Sequence, residues 1–232
     1  TAQKFARQTV RYTDEMISDT QRLLDLLGVR WITAAAEGEA QAAVMAQRGE
    51  LDVVATQDWD ALLYGSPVLV RNLMSAGSRR RGRVIRAQRI DLEPNLERLG
   101  INQQQLVDIA IMIGTDFHPG IKGIGPKTGL KLIVAHGDIE KVAKVKEFEV
   151  PDRLDEIRQI FLNHPTAHVD GLAPGVVDEE GLRAFLIGER GFSEGRLERN
   201  LNRVRDHVRK AGQSSLGDFI WQLKNQLFNW IF

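Results

Sequence analysis

Cysteine is absent from the 232 residues, which rules out disulfides and any thiolate metal site. No apolar run reaches the roughly 18 residues needed to cross a bilayer, and no signal-peptide pattern opens the chain. An excess of either charge is missing as well. The 31 basic and 31 acidic side chains cancel to a formal net charge of zero, so there is no global signature of nucleic-acid binding. These absences lead us to expect an intracellular soluble protein with no membrane partner. The first residue is Thr1 rather than Met, as in a processed or partial chain.

Apolar residues make up 43% of the chain and charged residues 27%, enough to bury a core in one large domain or two small ones. The charges are unevenly placed. Arg71, Arg79, Arg80, Arg81, Arg83, Arg86 and Arg89 fall in one stretch without an acid, and Arg196, Arg199, Arg203, Arg205, Arg209 and Lys210 form a second run diluted by Glu198 and Asp206. Two local basic surfaces can face a polyanion while the rest stays neutral. A solvated Arg-rich loop and helix accounts for the charge alone equally well.

Apolar spacing predicts a helix from Lys4 to Leu27, ended by Gly28. Trp31–Ala36 reads as a short buried strand, followed by a helix from about Glu37 to Gln47, a strand at Val53–Thr56 and a short helix near Asp60–Leu63. Val68–Leu73 and Val84–Ile90 read as further strands flanking a turn at Ser75–Ser78. Alternating strands and helices argue for a parallel α/β sheet. Beyond Asp91 the pattern is helical: Asn102 caps a helix closed by Gly114, and helices follow near 126–136, 139–146, 152–163, 178–188 and 193–210.

Two acidic pairs, Glu37/Glu39 and Asp58/Asp60, sit just past consecutive expected strands. Ligands bind at that edge of an open parallel sheet. Four such carboxylates repel one another unless protonated or bound to cations, and an oxygen-only donor set suits Mg²⁺ or Mn²⁺. Two such ions can hold the attacking and leaving oxygens of a phosphoryl displacement. Helix capping explains either pair alone, but their recurrence favours a metal site. Asp116, in Ile113-Gly114-Thr115-Asp116-Phe117, adds a fifth acid.

The stretch Gly120-Ile121-Lys122-Gly123-Ile124-Gly125-Pro126-Lys127-Thr128-Gly129 leads into another helix. Gly123 and Gly125 permit a tight turn and Pro126 suits the first helical position. Free amides there, flanked by Lys122 and Lys127, suit a DNA phosphate. The spacing is not that of a nucleotide P-loop.

At this point the chain resembles the archaeal and eukaryotic flap endonucleases. The resemblance rests on Glu37-Gly38-Glu39-Ala40, Thr56-Gln57-Asp58-Trp59-Asp60, Gly65-Ser66-Pro67-Val68, Ile113 to Phe117 and Gly123-Ile124-Gly125-Pro126-Lys127, in order, from about Lys4 to Ile220. It implies an α/β fold: a PIN-like parallel sheet, an incomplete nuclease core here, followed by an all-α helix-two-turn-helix region on downstream duplex DNA. Segments 1–111, 112–211 and 212–232 would be core with arch-derived helix, DNA-binding helices, and clamp-binding-like tail. The expected activity is two-metal hydrolysis of 5′ flaps and 5′–3′ exonuclease action in replication and repair, in an archaeal cytoplasm or a eukaryotic nucleus. The alternative is a non-catalytic module that binds duplex DNA and a sliding clamp.

The resemblance makes Glu37, Glu39, Asp58, Asp60 and Asp116 ligands of two Mg²⁺ ions, with Mn²⁺ as substitute. It places Lys122, Gly123, Gly125, Lys127 and Thr128 on the duplex backbone and a K⁺ on the carbonyls of Ile121 and Ile124. Gly120 stands where some relatives carry Ser. Gln213, Leu216, Phe219 and Ile220 resemble the box that binds the sliding clamp (PCNA), although Ile220 replaces the second aromatic. The tail 222–232 is unusually apolar for the family. Further Asp ligands, a Lys/Arg pair and a stacking aromatic from the family's N-terminal region have no counterpart in these residues, so a separate N-terminal nuclease segment is an expected partner. Pure chain alone is accordingly expected to show little or no nuclease activity, and Mg²⁺-dependent cleavage of a flap duplex by it would refute that.

Overall fold

The structure, a computed structural model, describes residues 12–80, 82–169, 171 and 173–211. The clamp-box residues Gln213, Leu216, Phe219 and Ile220 lie outside the described residues. In chain order the elements are α1 (Asp14–Leu26), α2 (Gly38–Gln47), β1 (Val54–Ala55), α3 (Asp60–Leu63), β2 (Val68–Arg71), β3 (Arg79–Arg80), β4 (Arg83–Val84) and β5 (Gln88–Asp91). Helices follow: α4 (Leu92–Leu99), α5 (Gln103–Ile113), α6 (Pro126–His136), α7 (Ile139–Lys146), α8 (Leu154–Leu162), α9 (Glu179–Arg183), which continues as a π turn, and α10 (Glu194–Ala211). The expected class, an α/β part followed by helices, is present. Among the described residues, no helix is long and apolar enough to cross a membrane.

The sheet differs from expectation. Its order is β1-β2-β5, with β1 parallel to β2 but β5 antiparallel, pairing Val68 with Asp91 and Arg71 with Gln88. A parallel neighbour needs a crossover connection, usually a helix. The link from β2 to β5 carries only a 3-10 turn and the β3–β4 hairpin, so the chain returns antiparallel. The strand expected over Val84–Ile90 is split for the same reason: Ile85 bonds back to Ser78 and Gly77, while β5 turns to β2. Trp31–Ala36 is not a strand. Nor is it buried: Trp31 and Ile32 are exposed, and the described residues supply no strand to pair with it. The Trp31 indole instead donates to Asp25 at 3.0 Å and the Arg30 Nε to the Ala173 carbonyl at 3.0 Å.

The chain forms two compact units, Thr33–Val169 and one joining Thr1–Ile32 to Asp170–Phe232. In the second unit, Leu23, Leu26 and Leu27 of the α1 region pack on buried Leu182, Leu197 and Leu201. Buried Phe185 lies under the guanidiniums of Arg22 and Arg190, which pair with Glu189 and Asp19 respectively. The basic run of α10 is partly neutralised within this unit, since Arg205 pairs with Glu179 and with Glu198.

The unit Thr33–Val169 is organised on α5. Asn102 and Gln105 close its N-terminus reciprocally, each side chain bonding the other's amide at 2.9 Å. Val107, Ile111 and Met112 are fully buried. Helix α6 packs closely because Gly129 carries no side chain; a Cβ there would lie 3.3 Å from Ile109 Cγ2. One charged cluster is also buried here. Arg158 on α8 donates Nε to Asp108 Oδ1 at 2.7 Å and Nη2 to Oδ2 at 2.8 Å, while Glu140 on α7 accepts Nη1 at 2.6 Å and Nη2 at 2.7 Å. Asp108 also accepts the Ile139 amide at 3.2 Å, at the start of α7.

Removing one partner of a buried pair strands the other charge. Arg158→Leu is therefore expected to lower the unfolding free energy by about 3–5 kcal/mol, read by denaturant titration, and Arg158→Leu with Asp108→Leu to lose clearly less than the two single changes summed. Additive losses would show that the pair does not couple. The Arg158 hydrogen bond holds the Glu140 carboxyl below its ordinary 4.5. Its contribution is thus complete above that value and lost as pH falls through the lowered one. Glu140→Gln should flatten the acid side of the stability–pH curve, and an unchanged acid limb would contradict this.

Candidate metal and nucleic-acid site

Strand β1 ends at Ala55, and the chain leaves it through Thr56 and Gln57 to Asp58. The Thr56 hydroxyl accepts the Asp58 amide at 3.1 Å and donates to Glu39 Oε1 at 3.3 Å, so one side chain ties the two acidic motifs together. Asp58 Oδ1 in turn accepts the Asp60 amide at 3.1 Å as α3 begins. Glu37 precedes α2 in extended conformation, and its amide donates to His164 Nε2 at 3.3 Å. Asp116 sits at the tip of a tight turn closed by mutual amide–carbonyl bonds between Thr115 and His118, with Phe117 edge-on to Phe161 at 5.6 Å.

These five carboxylates share one electrostatic environment. The Asp60 carboxyl is raised above the ordinary aspartate value by burial first, then by Asp58, Asp116, Glu39 and Glu37. Buried Tyr64 senses the same field: burial, Glu37, Asp60, Glu39 and Asp116 push its phenol up to about 12. Glu37, Asp58 and Asp116 are exposed and Glu39 and Asp60 half-buried, so the group opens to solvent. Among the described residues, however, no three His, Asp or Glu side chains come close enough together to hold a metal ion. The donor chemistry fits a hard divalent cation, since every candidate ligand is a carboxylate oxygen and their repulsion is uncompensated. The spacing in this structure does not yet form a ligand cage. Thr56, Tyr64 and His164 were missed in the sequence. Thr56 stands at a strand exit, a place where hydroxyls often organise a turn; His164 gave no signal, lying 127 residues from Glu37.

Beside Asp58 and Asp60, Trp59 is half exposed and meets the Arg71 guanidinium 4.1 Å from its ring centroid. Arg71 is held by its own bonds to the Gln57 carbonyl, at 3.1 Å from Nε and 2.8 Å from Nη2.

The glycine hairpin joins α5 to α6. Gly120 has φ +88°, and a Cβ there would lie 2.4 Å from the Ile113 carbonyl oxygen. Ile121 donates its amide to Met112 at 2.7 Å, and its carbonyl accepts the Ile124 amide at 3.0 Å. Lys122, Gly123, Lys127 and Thr128 are exposed and Gly125 partly so. Lys127, Thr128, Lys131, His136 and Lys146 line a shallow hollow of about 440 Å³. The hairpin and this lysine-lined face lie in the same compact unit as the five acids.

Comparison with known proteins identifies relatives of the chain. Residues 28–116 match the family model of the XPG I-region. Flap endonuclease 1 of Methanoculleus marisnigri is 45% identical over 207 residues, covering 88% of this chain and 61% of that protein. The Hyperthermus butylicus enzyme is 42% identical over 216 residues, covering 90% and 62%. Among solved structures, flap endonuclease-1 from Methanococcus jannaschii superposes with a TM-score of 0.73 at 34% identity, covering 92% of this chain and 64% of that one. The catalytic core of Rad2 in complex with DNA substrate, with a TM-score of 0.69 at 23% identity, shares the fold. The chain thus spans somewhat less than two thirds of the length of these curated relatives. Motif order, fold and identity across about 90% of the residues converge, and the chain belongs to the flap endonuclease family.

Proposed function

We propose that this chain acts in a structure-specific 5′ flap endonuclease and 5′–3′ exonuclease of DNA replication and repair. One observation carries the reading: the two acidic pairs are tied together through Thr56, and the Asp60 carboxyl is raised by burial first and then by Asp58, Asp116, Glu39 and Glu37. A purely structural use of Asp and Glu pairs them with cations or caps. This group is left in mutual repulsion, an arrangement that a divalent ion relieves.

Glu37, Glu39, Asp58, Asp60 and Asp116 would hold two Mg²⁺ ions, directly or through water, with Mn²⁺ as substitute. When bound, such ions supply an activated water and charge neutralisation at the scissile phosphate. The chain's own residues do the rest. Thr56 keeps Glu39 and Asp58 in register, and the exposed Gly123–Gly125 turn with Lys122, Lys127 and Thr128 offers amides and ammonium groups to the duplex backbone. The carbonyls of Ile121 and Ile124 are the candidate K⁺ donors, that of Ile121 already sharing a lone pair with the Ile124 amide. The segment 1–111 then supplies four of the five acids, and 112–211 supplies Asp116 together with the duplex-binding hairpin. A sliding clamp would engage Gln213, Leu216, Phe219 and Ile220, and an N-terminal nuclease segment would complete the metal site.

Because the folded Asp60 carboxyl titrates high, the repulsion is complete above its raised value and relieved as pH falls through it. At neutral pH, Asp60→Asn should raise the melting temperature of metal-free protein. Saturating Mn²⁺, at about 100 times its Kd, should stabilise the unaltered protein by about 2.7 kcal/mol and the variant far less. A variant no more stable than its parent, with the same response to Mn²⁺, would remove the metal reading. The reaction itself is tested on a 5′-flap duplex with Mg²⁺, with the chain alone and with the N-terminal part of an archaeal flap endonuclease supplied. Flap release in the supplemented mixture, lost with Asp58→Asn, supports the nuclease. Duplex binding without cleavage in either mixture instead favours the non-catalytic module.

A further inference from the structure

The segment between the two acidic positions of β1's exit carries a group that the reading above leaves without a task. Trp59 keeps 50% of its surface in solvent, although large aromatic side chains supply most of their energy through burial. Its ring is not loose. The Arg71 guanidinium lies 4.1 Å from the ring centroid, and that guanidinium is fixed by two bonds to the Gln57 carbonyl, at 3.1 Å and 2.8 Å. A cation over an aromatic face is attracted by the ring quadrupole, and Arg71 starts from β2, adjacent to the strand that leads to Trp59. One face of the indole is therefore backed by a pinned planar group, while half of the residue's surface stays open to solvent.

The surroundings restrict what that open face can take. Asp58 and Asp60 flank Trp59 in sequence, and Glu37, Glu39 and Asp116 act on the same patch. A phosphate or a carboxylate is repelled from such a surface unless cations intervene. An acidic peptide is excluded on the same ground. A flat, uncharged ring meets no such penalty, and stacking on an aromatic face suits every nucleobase because each has a π surface. Inside a duplex, bases are stacked on each other and unavailable, so only an unpaired base can be the occupant.

We propose that Trp59 is a stacking platform for one unpaired nucleobase of the strand whose phosphates approach the carboxylates, and that Arg71 is the residue positioning the ring. This rests on the nucleic-acid reading of the same site. It adds a contact that recognises a base rather than a phosphate, and so selects single-stranded over paired DNA at the acid cluster.

The chain holds four tryptophans, so the Trp59 signal is the difference between the unaltered protein and Trp59→Phe. With Ca²⁺ as divalent ion, a decathymidine should quench that component, and an abasic strand of equal length should not. By anisotropy of the labelled decathymidine, Trp59→Ala and Trp59→Leu should bind about 5- to 140-fold more weakly, the range that stacking of one base supplies. Trp59→Phe should retain most of the affinity. Arg71→Gln should reduce the quench amplitude while leaving the stabilisation by Mn²⁺ intact, which a general loss of folding would not do. Equal affinity of Trp59→Ala and the unaltered protein, or equal quenching by the abasic strand, overturns the proposal. The two readings fail separately. Quenching without any stabilisation by Mn²⁺ sinks the metal site and leaves the platform, whereas Mn²⁺ binding with no effect at Trp59 sinks the platform alone.

Discussion

The guanidinium of Arg158, a residue only 7% exposed, is the point on which the helical part of Thr33–Val169 depends. Taking an arginine out of water costs several kcal/mol, and the cost is met only if its donors are answered in good geometry. Asp108 from α5 and Glu140 from α7 answer it in paired fashion, with Asp155 adding a contact at 3.2 Å from α8 itself. Three helices can satisfy one planar fork only in a narrow range of mutual orientation. That orientation has a consequence at both ends of α5. Its C-terminus delivers Gly114 and Asp116 to the acid cluster, and its flank receives Gly129 of α6, which sets the direction of the glycine hairpin.

The two acidic groups in this unit follow opposite electrostatic rules. Asp108 is wholly buried, yet each of its oxygens has an arginine donor. Asp60 is only partly buried, but its neighbours are acids. The first arrangement lowers the energy of the fold and the second raises it. Strain of this kind is expected where a protein keeps a surface ready for something it does not itself contain. Thr56 shows how little framework is required: one hydroxyl spans from the Asp58 amide to the Glu39 carboxylate, so two motifs 17 residues apart are held together.

The long helices were legible because apolar residues recur at their period and caps mark their ends, as Asn102 and Gly114 do for α5. The glycine hairpin was legible because few side chains tolerate its backbone; at Gly120 the Ile113 carbonyl occupies the place of a Cβ. The acidic motifs were visible as chemistry, but their common field depends on how β1, α2 and the Thr115–His118 turn are brought together. What sequence could not show depends on distant partners. Arg158 and Asp108 lie 50 residues apart, and neither stands out from other charged helix residues until the helices pack. The pairing of Arg205 with Glu179, 26 residues away, was likewise invisible in the second arginine run. Trp31–Ala36 carried the apolar run of a strand without a neighbour to pair with, and the direction of β5 was fixed by the kind of connection before it.

Gln41 on α2 is buried, and its amide exchanges two hydrogen bonds with the backbone of Ala167: Nε2 to the carbonyl at 3.0 Å and Oε1 from the amide at 2.7 Å. This is the bonding of one rung in a β ladder, supplied by a side chain. A strand in that place would present a row of further donors and acceptors along its outer edge, open to pairing with a second molecule. A single glutamine terminates the pattern after one residue. The segment around Ala167 is thereby anchored without offering a template.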